Sequence, residues 1–197
     1  MDRVITADDY GICLFSLDIL QDFLKREKIK SKKLLEFFQK NPEKYLTALE
    51  EGAWIPFVQI NAVEYLVRLD GYEPPFGNEW DLKFEYDGFN IETKDSLWIS
   101  AVSSFYSFDK NQYQGRDIVS YQTVAGALST PVTINTDFMY TVPSSKYLLS
   151  IKGYARKIKL DYPTPNCGFL FSLSKVSEFN SFKNPREEIY NFNVADM

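Results

Sequence analysis

The chain contains no histidine among its 197 residues. Histidine is the side chain that most often serves as a general base near neutral pH, and it is the commonest metal ligand. Its absence therefore excludes Ser-His-Asp and Cys-His nucleophilic sites, and it excludes every metal site that needs an imidazole. Phosphate-binding glycine loops are missing too, since neither GxGxxG nor GxxxxGK[ST] occurs. We predict no catalytic residue, no metal and no cofactor, and hence a protein that is not an enzyme.

Cysteine is scarce, with only Cys13 and Cys167 in the whole chain. Two cysteines so far apart do not form a disulfide framework, and a core of this size needs no covalent staple. Cys13 lies in an apolar stretch and is expected to be buried, whereas Cys167 follows Pro165-Asn166 and is expected to be more exposed. With no histidine and no obvious activating cation nearby, neither thiol is predicted to be a nucleophile.

Long hydrophobic runs are also missing. No apolar stretch approaches the roughly 18 residues that a membrane span requires, and the charged start of the chain does not resemble a secretory signal. The basic run at residues 25–33 lies in an acidic chain and is interpreted as a solvated connection between helices. We therefore expect a cytoplasmic protein with neither a membrane nor a nucleic acid as its partner.

Aromatic residues are abundant, at 16% of the chain, and they favour β structure because they fit the pleated surface of a sheet. Apolar residues at helical spacing predict three short helices within residues 1–52, with Ser16 as an N-cap, Pro42 opening the third helix and Gly52 ending it. Beyond residue 53 the alternation becomes strand-like, with strand candidates near residues 63–69, 80–86, 89–93, 97–102, 118–124, 138–142, 147–155, 169–173 and 189–194.

The predicted fold is α+β and mostly β. Short N-terminal helices in residues 1–52 pack on an antiparallel β-sandwich or barrel-like sheet formed by residues 53–197, in a single domain 1–197. The dipeptide Asp87-Gly88 predicts a hairpin turn between two strands. The first strand of that hairpin would direct one set of side chains to the core, namely Trp80, Leu82, Phe84 and Tyr86. It would direct a charged set to the other face: Glu79, Asp81, Lys83, Glu85 and Asp87.

Acidic residues are concentrated around this strand. Residues 43–95 carry twelve acids and four bases, a local net charge of −8, whereas the whole chain carries −5. Like charges along one face repel one another, so the row Glu79, Asp81, Glu85 and Asp87 is predicted to bind a basic partner. The alternative interpretation is a solvated strand face whose charges prevent edge-to-edge aggregation.

The acidic row and the surrounding band from Glu43 to Asp95 resemble the immunity proteins of bacterial polymorphic-toxin and contact-dependent inhibition systems. The resemblance is one of overall type, without a signature motif. It implies a small, acidic, cytosolic, non-enzymatic inhibitor that neutralises a cognate toxin, often a basic nuclease, by covering its active site. The partner would then be a basic toxin domain, bound through Glu79, Asp81, Glu85 and Asp87. The oligomeric state stays open.

Two other functions fit the sequence. A carbohydrate-binding β-sandwich would use exposed aromatic side chains, for which Trp54, Trp98 and Tyr154 are the candidates. A Mg²⁺-dependent nuclease would hold the metal between Asp81 on the first strand of the hairpin and Glu92 on the second, with Lys94 stabilising the developing charge.

Overall fold

The computed structural model describes residues 2–125 and 130–197. These residues form ten strands: β1 (Arg3–Thr6), β2 (Gly11–Phe15), β3 (Trp54–Val58), β4 (Glu64–Leu69), β5 (Trp80–Thr93), β6 (Leu97–Ala101), β7 (Ile118–Ala125), β8 (Thr130–Tyr140), β9 (Ser145–Arg156) and β10 (Cys167–Val176). They also form three α-helices: α1 (Leu17–Arg26), α2 (Leu34–Lys40) and α3 (Pro42–Glu50). Short 3₁₀ turns lie at Val102–Phe105, Lys110–Gln112 and Val194–Asp196.

The strands build two five-stranded sheets. Sheet A has the order β1-β4-β10-β9-β5, and sheet B has the order β3-β2-β6-β8-β7. Neighbouring strands are antiparallel except β4 and β10, which run parallel. The prediction of an α+β, mostly β fold with a sandwich-like arrangement is therefore confirmed.

The strands β3, β2 and β6 of sheet B are covered on both faces. One face packs against sheet A and contributes Leu14, Phe57 and Ile99 to the core between the sheets. The opposite face contributes Phe15, Trp54 and Trp98 to a second core, beneath the helices and residues 102–113. Because both faces are buried, every residue of β2 and of β6 is buried, and neither strand shows the alternation of a half-exposed strand.

The three predicted helices are confirmed, and Pro42 occupies the first turn of α3 as expected. The prediction that residues 1–52 form a wholly helical segment is wrong at its start, since β1 and β2 precede α1. The apolar sequence of β2 lacks a period of two because both of its faces are buried, so its pattern does not distinguish it from a buried helix. None of the three helices in the described ranges has the length and apolar character that crossing a membrane requires.

The predicted hairpin at Asp87-Gly88 is also wrong. β5 continues through both residues as one strand of 14 residues that pairs with β9 along its length. Gly88 adopts a φ of 79°, and the register shifts between Tyr86 and Phe89. Asp-Gly therefore forms a β-bulge, which needs the same left-handed conformation as a hairpin turn.

Residues 189–194 do not form the predicted strand, because no sheet strand extends beyond β10 in the described chain. This segment instead places Phe192 in the core between the sheets, with its ring 5.0 Å from that of Phe57 in β3 and 5.7 Å from that of Phe84 in β5. The side chain of Asn193 accepts a hydrogen bond from the backbone N–H of Asn61. The segment thus fills the space between an edge strand of sheet B and an edge strand of sheet A.

Asp137 is a fully buried carboxylate in β8. It accepts hydrogen bonds from four hydroxyl groups: Ser100 Oγ, Ser104 Oγ at 3.0 Å, Tyr113 Oη at 3.1 Å and Thr136 Oγ1 at 2.6 Å. Burial raises the pKa of the Asp137 carboxyl above its usual range, although the four donors oppose that shift. The cluster ties residues 100–113 to sheet B.

The packing of Phe192 predicts a large loss of stability on truncation. We expect Phe192→Ala to lower the free energy of unfolding by about 3 kcal/mol, because the change leaves a cavity between the sheets. Ile189→Ala is the control, because that side chain is 72% exposed and its truncation should change stability by less than about 0.5 kcal/mol. Urea unfolding of both variants measures the difference, and equal losses would show that residues 189–194 do not close the core.

Asp137 predicts a pH-dependent contribution to stability. A carboxyl whose folded-state pKa is raised stabilises the fold while it is protonated, and this contribution is lost as the pH rises through the folded-state pKa. The stability advantage of the wild type over Asp137→Asn should therefore shrink as the pH rises above the ordinary pKa of an aspartate and through the raised folded-state pKa. Asp117→Asn removes the same charge from an exposed position and is the control. An advantage that grows with pH would contradict the raised pKa.

Candidate functional site

The predicted acidic row does not lie on one face of β5. A register shift between Leu82 and Phe84 turns the strand, so Trp80 and Leu82 share a face with Glu85, while Phe84 faces the core. Leu82 is accordingly 50% exposed, contrary to the expectation that it belongs to the core. The bulge divides both the aromatic face and the charged face that simple alternation predicts.

Lysine side chains already accompany three of the four predicted partner-binding carboxylates. The ion pairs join Asp81 to Lys157 at 3.8 Å and to Lys83 at 3.9 Å, Glu85 to Lys152 at 3.0 Å, and Asp87 to Lys183 at 3.1 Å. The hydrogen bond from Lys152 to Glu85 raises the pKa of that lysine, so it stays charged. Glu79 accepts a hydrogen bond from the indole N–H of Trp80 at 3.1 Å. Binding by this row stays a prediction, and the neighbouring lysines reduce its negative field.

The arrangement predicted for a magnesium site is wrong. Asp81 and Glu92 lie near opposite ends of the single strand β5, eleven residues and roughly 35 Å apart, instead of facing each other across a hairpin. Lys94 follows the strand and lies 4.0 Å from Asp22 of α1. Among residues 2–125 and 130–197, no three cysteine or carboxylate side chains are placed to share a metal ion.

The aromatic residues predicted to bind carbohydrate are largely covered by other side chains. Trp54 and Trp98 are buried beneath the helices. The ring of Tyr154 stacks on that of Phe76 at 4.4 Å, so this face of the tyrosine is covered. The two tryptophans therefore present no open ring face to a sugar, and the half-buried Tyr154 has one ring face covered.

Both cysteines are buried and unpaired. The predicted burial of Cys13 is confirmed, whereas the predicted exposure of Cys167 is wrong, since only 7% of its surface is accessible. Burial raises the pKa of the Cys13 thiol well above its usual range and that of Cys167 to about 11. Both side chains are therefore protonated thiols near neutral pH, as expected of structural cysteines.

A large open cleft lies at one end of the sandwich, with a volume of about 1510 Å³. The strand register places it there, because Gly11 pairs with Val58 and Ile12 pairs with Ala101, so the start of β2 and the ends of β3 and β6 meet. Helix α2, residues 58–61, Val102, Tyr106 and residues 185–192 surround it. We call it the tyrosine cleft, after Tyr10, Tyr106 and Tyr190 in its lining.

Buried apolar side chains from separate segments lie against the tyrosine cleft: Leu35, Ile60, Val102 and Phe192. Tyr10 and Gln59 both adopt left-handed backbone conformations, with φ of 61° and 67°, at the two turns that border it. The backbone N–H of Ile60 donates to the carbonyl oxygen of Tyr10 at 3.2 Å and joins these turns. Non-glycine residues with a positive φ are strained, and contacts with the surrounding structure must hold them in place. Such residues are common at functional sites.

The tyrosines give the cleft a broad aromatic surface. Tyr10 is 61% exposed and Tyr106 is 53% exposed, whereas Tyr190 packs against Tyr86 and Phe192. Burial raises the pKa of Tyr190, so its hydroxyl remains neutral. A tyrosine side chain offers an apolar ring and a hydrogen-bonding tip together, which suits it to protein interfaces.

The charge of the cleft is mainly negative. Glu36 pairs with Lys40 at 2.6 Å and with Lys33 at 3.7 Å, and the hydrogen bond from Lys40 lowers the pKa of Glu36. The guanidinium of Arg186 lies 4.2 Å from the centre of the Tyr45 ring. Three further acids in the lining form no ion pair with any described residue: Asp9, Glu187 and Glu188.

The sequence patterns did not reveal this cleft, because its residues come from distant segments of the chain. Tyr10 and Tyr106 lie in connecting segments, where neither helical nor strand periodicity applies. Glu187 and Glu188 fall next to residues 189–194, which the strand-like alternation wrongly assigned to a strand. Only the return of the C-terminal segment across the sandwich brings them beside the others.

No known protein family matches this chain, and no similar curated protein or solved structure was found.

Proposed function

We propose that the protein is a non-enzymatic inhibitor that binds a basic protein partner in the tyrosine cleft. One observation carries this proposal: Asp9, Glu187 and Glu188 lack ion pairs with the described residues and line the same cleft as the exposed Tyr10 and Tyr106. Carboxylates without a cation attract lysine and arginine from a partner, and tyrosine rings accept the same cations on their faces.

The size of the cleft favours a protein segment over a small molecule. Pockets for small ligands measure about 300 to 1,000 Å³ and enclose most of the ligand, whereas this cleft holds about 1510 Å³ and is open to solvent. A loop or helix of a partner would bury Tyr10 and Tyr106, and tyrosines often contribute most of the free energy at such interfaces.

The narrower identity that we propose is a cytoplasmic immunity protein of a bacterial polymorphic-toxin or contact-dependent inhibition system. The acidic band between Glu43 and Asp95 carries the resemblance, and the net charge of −5 fits a basic toxin domain as partner. Such a protein neutralises its toxin by occupying the toxin's active-site surface, so it needs complementary charge and no chemistry of its own.

The acidic row on β5 is a second surface for the same partner, with a smaller expected contribution. Three carboxylates of this row are already paired with lysines of the same chain, namely Lys157, Lys152 and Lys183. A cation of the partner would have to displace these lysines. Exposed ion pairs contribute little free energy. Replacing one ion pair with another therefore stabilises a complex less than forming an ion pair with a carboxylate that has no cation beside it.

The two surfaces can be compared by charge reversal. With the toxin domain encoded beside this chain's gene as the probe, we expect Asp9, Glu187 and Glu188 changed together to Lys to weaken binding about a hundredfold, mostly through slower association at low salt. The matched variant changes Glu79, Asp81, Glu85 and Asp87 to Lys and should weaken binding less than about tenfold. Surface plasmon resonance at two salt concentrations measures both.

A larger effect of the β5 variant would move the binding site from the cleft to the acidic row. Unchanged binding by both variants, or a gene neighbourhood without a toxin module, would contradict the proposed function. Thermal unfolding of each variant shows whether the fold survived the substitutions.

A carbohydrate-binding role is the second candidate, and the exposed Tyr10 and Tyr106 favour it. Sugars stack on open aromatic rings, and amide side chains beside the rings supply hydrogen bonds, here from Gln39, Gln59, Asn61 and Asn191. On a glycan array we expect no binding by the wild type if the partner is a protein. Glycan binding that disappears in Tyr10→Ala and Tyr106→Ala would favour the carbohydrate role instead.

A further inference from the structure

The hairpin of β7 and β8 projects beyond the rest of sheet B. β6 pairs with β8 only at residues 137–140, so residues 130–136 of β8 have no strand partner other than β7 in the described structure. We call residues 120–125 and 130–135 the β-arm. The hydroxyl of Tyr121 donates to a carboxylate oxygen of Asp8 at 2.6 Å and fixes the β-arm against the turn between β1 and β2.

The β-arm carries no charge, and much of it is exposed. Residues 120–124 are all exposed, including Tyr121 at 46% and Val124 at 65%. Residues 118–136 contain no Asp, Glu, Lys or Arg, and this is the longest uncharged stretch in a chain with 25% charged residues. Elsewhere uncharged stretches form buried strands such as β6, where burial explains the lack of charge.

β7 is an edge strand with a free side. It pairs with β8 alone, and no backbone hydrogen bond outside the sheet engages residues 118–125 in the described chain. An exposed strand edge of eight residues presents a row of N–H and C=O groups that can pair with another strand.

The other three sheet edges are protected against such pairing. β1 has only four residues, and β3 has five residues that include a proline. β5 has two register shifts and many charged side chains, namely Asp81, Lys83, Glu85, Asp87 and Glu92. These are devices by which proteins block edge-to-edge association. β7 has one register shift, between Val119 and Ser120, but it has neither charge nor proline, and its pairing with β8 is regular from residue 120 onward.

We infer that the free edge of β7 pairs with β7 of a second copy of this chain, so that two β-arms join antiparallel about a twofold axis. The distribution of charge favours a second copy of this chain as the partner. Two copies that each carry −5 repel one another over most of their surface, whereas an uncharged strand meets its own copy without placing like charges opposite each other. The pairing extends sheet B from five to ten strands across the two copies.

Self-association is the property that tests this inference. Light scattering after size exclusion should show a dimer for the wild type. Thr123→Lys should weaken the dimer about tenfold or more, because it places one lysine from each copy on the otherwise uncharged joined edges. The matched control is Thr133→Lys, a similarly exposed threonine on β8 of the same β-arm, paired with Gln122 and away from the free edge. It should dimerise like the wild type.

Hydrogen exchange supplies an independent readout that needs no variant. Amides of residues 118–125 should exchange more slowly as the wild-type concentration rises, since outward N–H groups become bonded in the dimer. A wild type that remains monomeric up to about 1 mM overturns the inference, as does equal dimerisation of the two lysine variants or exchange independent of concentration. If Thr123→Lys weakens toxin binding while the wild type alone is monomeric, the free edge of β7 binds a strand of the toxin. That result would contradict pairing with a second copy of this chain.

Discussion

The burial of β3, β2 and β6 of sheet B on both faces is the constraint on which the other layers depend. Sheet A covers one face through residues such as Phe57, while the helices and residues 102–113 cover the other, where Phe15, Trp54 and Trp98 lie. Because neither cover can be removed without exposing large aromatic rings to water, α2, Val102 and Tyr106 have fixed positions at the end of the sandwich. The tyrosine cleft therefore depends on how sheet B is covered, since α2, Val102 and Tyr106 of the helical layer form one of its walls.

Charge is distributed differently over the two acidic surfaces. Along β5 a lysine lies close to Asp81, Glu85 and Asp87, and these pairs keep a long edge strand soluble without a strong field. At the tyrosine cleft, Asp9 and Glu188 lie beside exposed rings without such cations among the described residues. The density of acids along a sequence does not reveal which carboxylates already have a cation beside them, so it does not by itself locate a binding surface.

Local patterns predicted the elements whose environment is simple. The helices have one buried face each, and β4, β9 and β10 alternate or are bounded by clear turns, so periodicity identified them. β2 escaped detection because burial on both faces removes the period, and the bulge at Gly88 resembled a hairpin because both need a positive φ. The cleft and the Asp137 cluster depend on contacts between residues far apart in sequence, such as Asn61 with Asn193, which no local pattern contains.

The return of residues 185–192 across the sandwich also determines the order in which the core and the cleft can be completed during synthesis. This segment supplies Phe192 to the core and Glu187 and Tyr190 to the cleft, yet it follows all ten strands in sequence. A ribosome-bound chain that has emerged only through β10 has both sheets' strands but lacks one wall of the cleft and the ring that fills the core beside Phe57. The cleft is therefore complete only after residues 185–192 have been synthesised, and these residues follow every strand of both sheets.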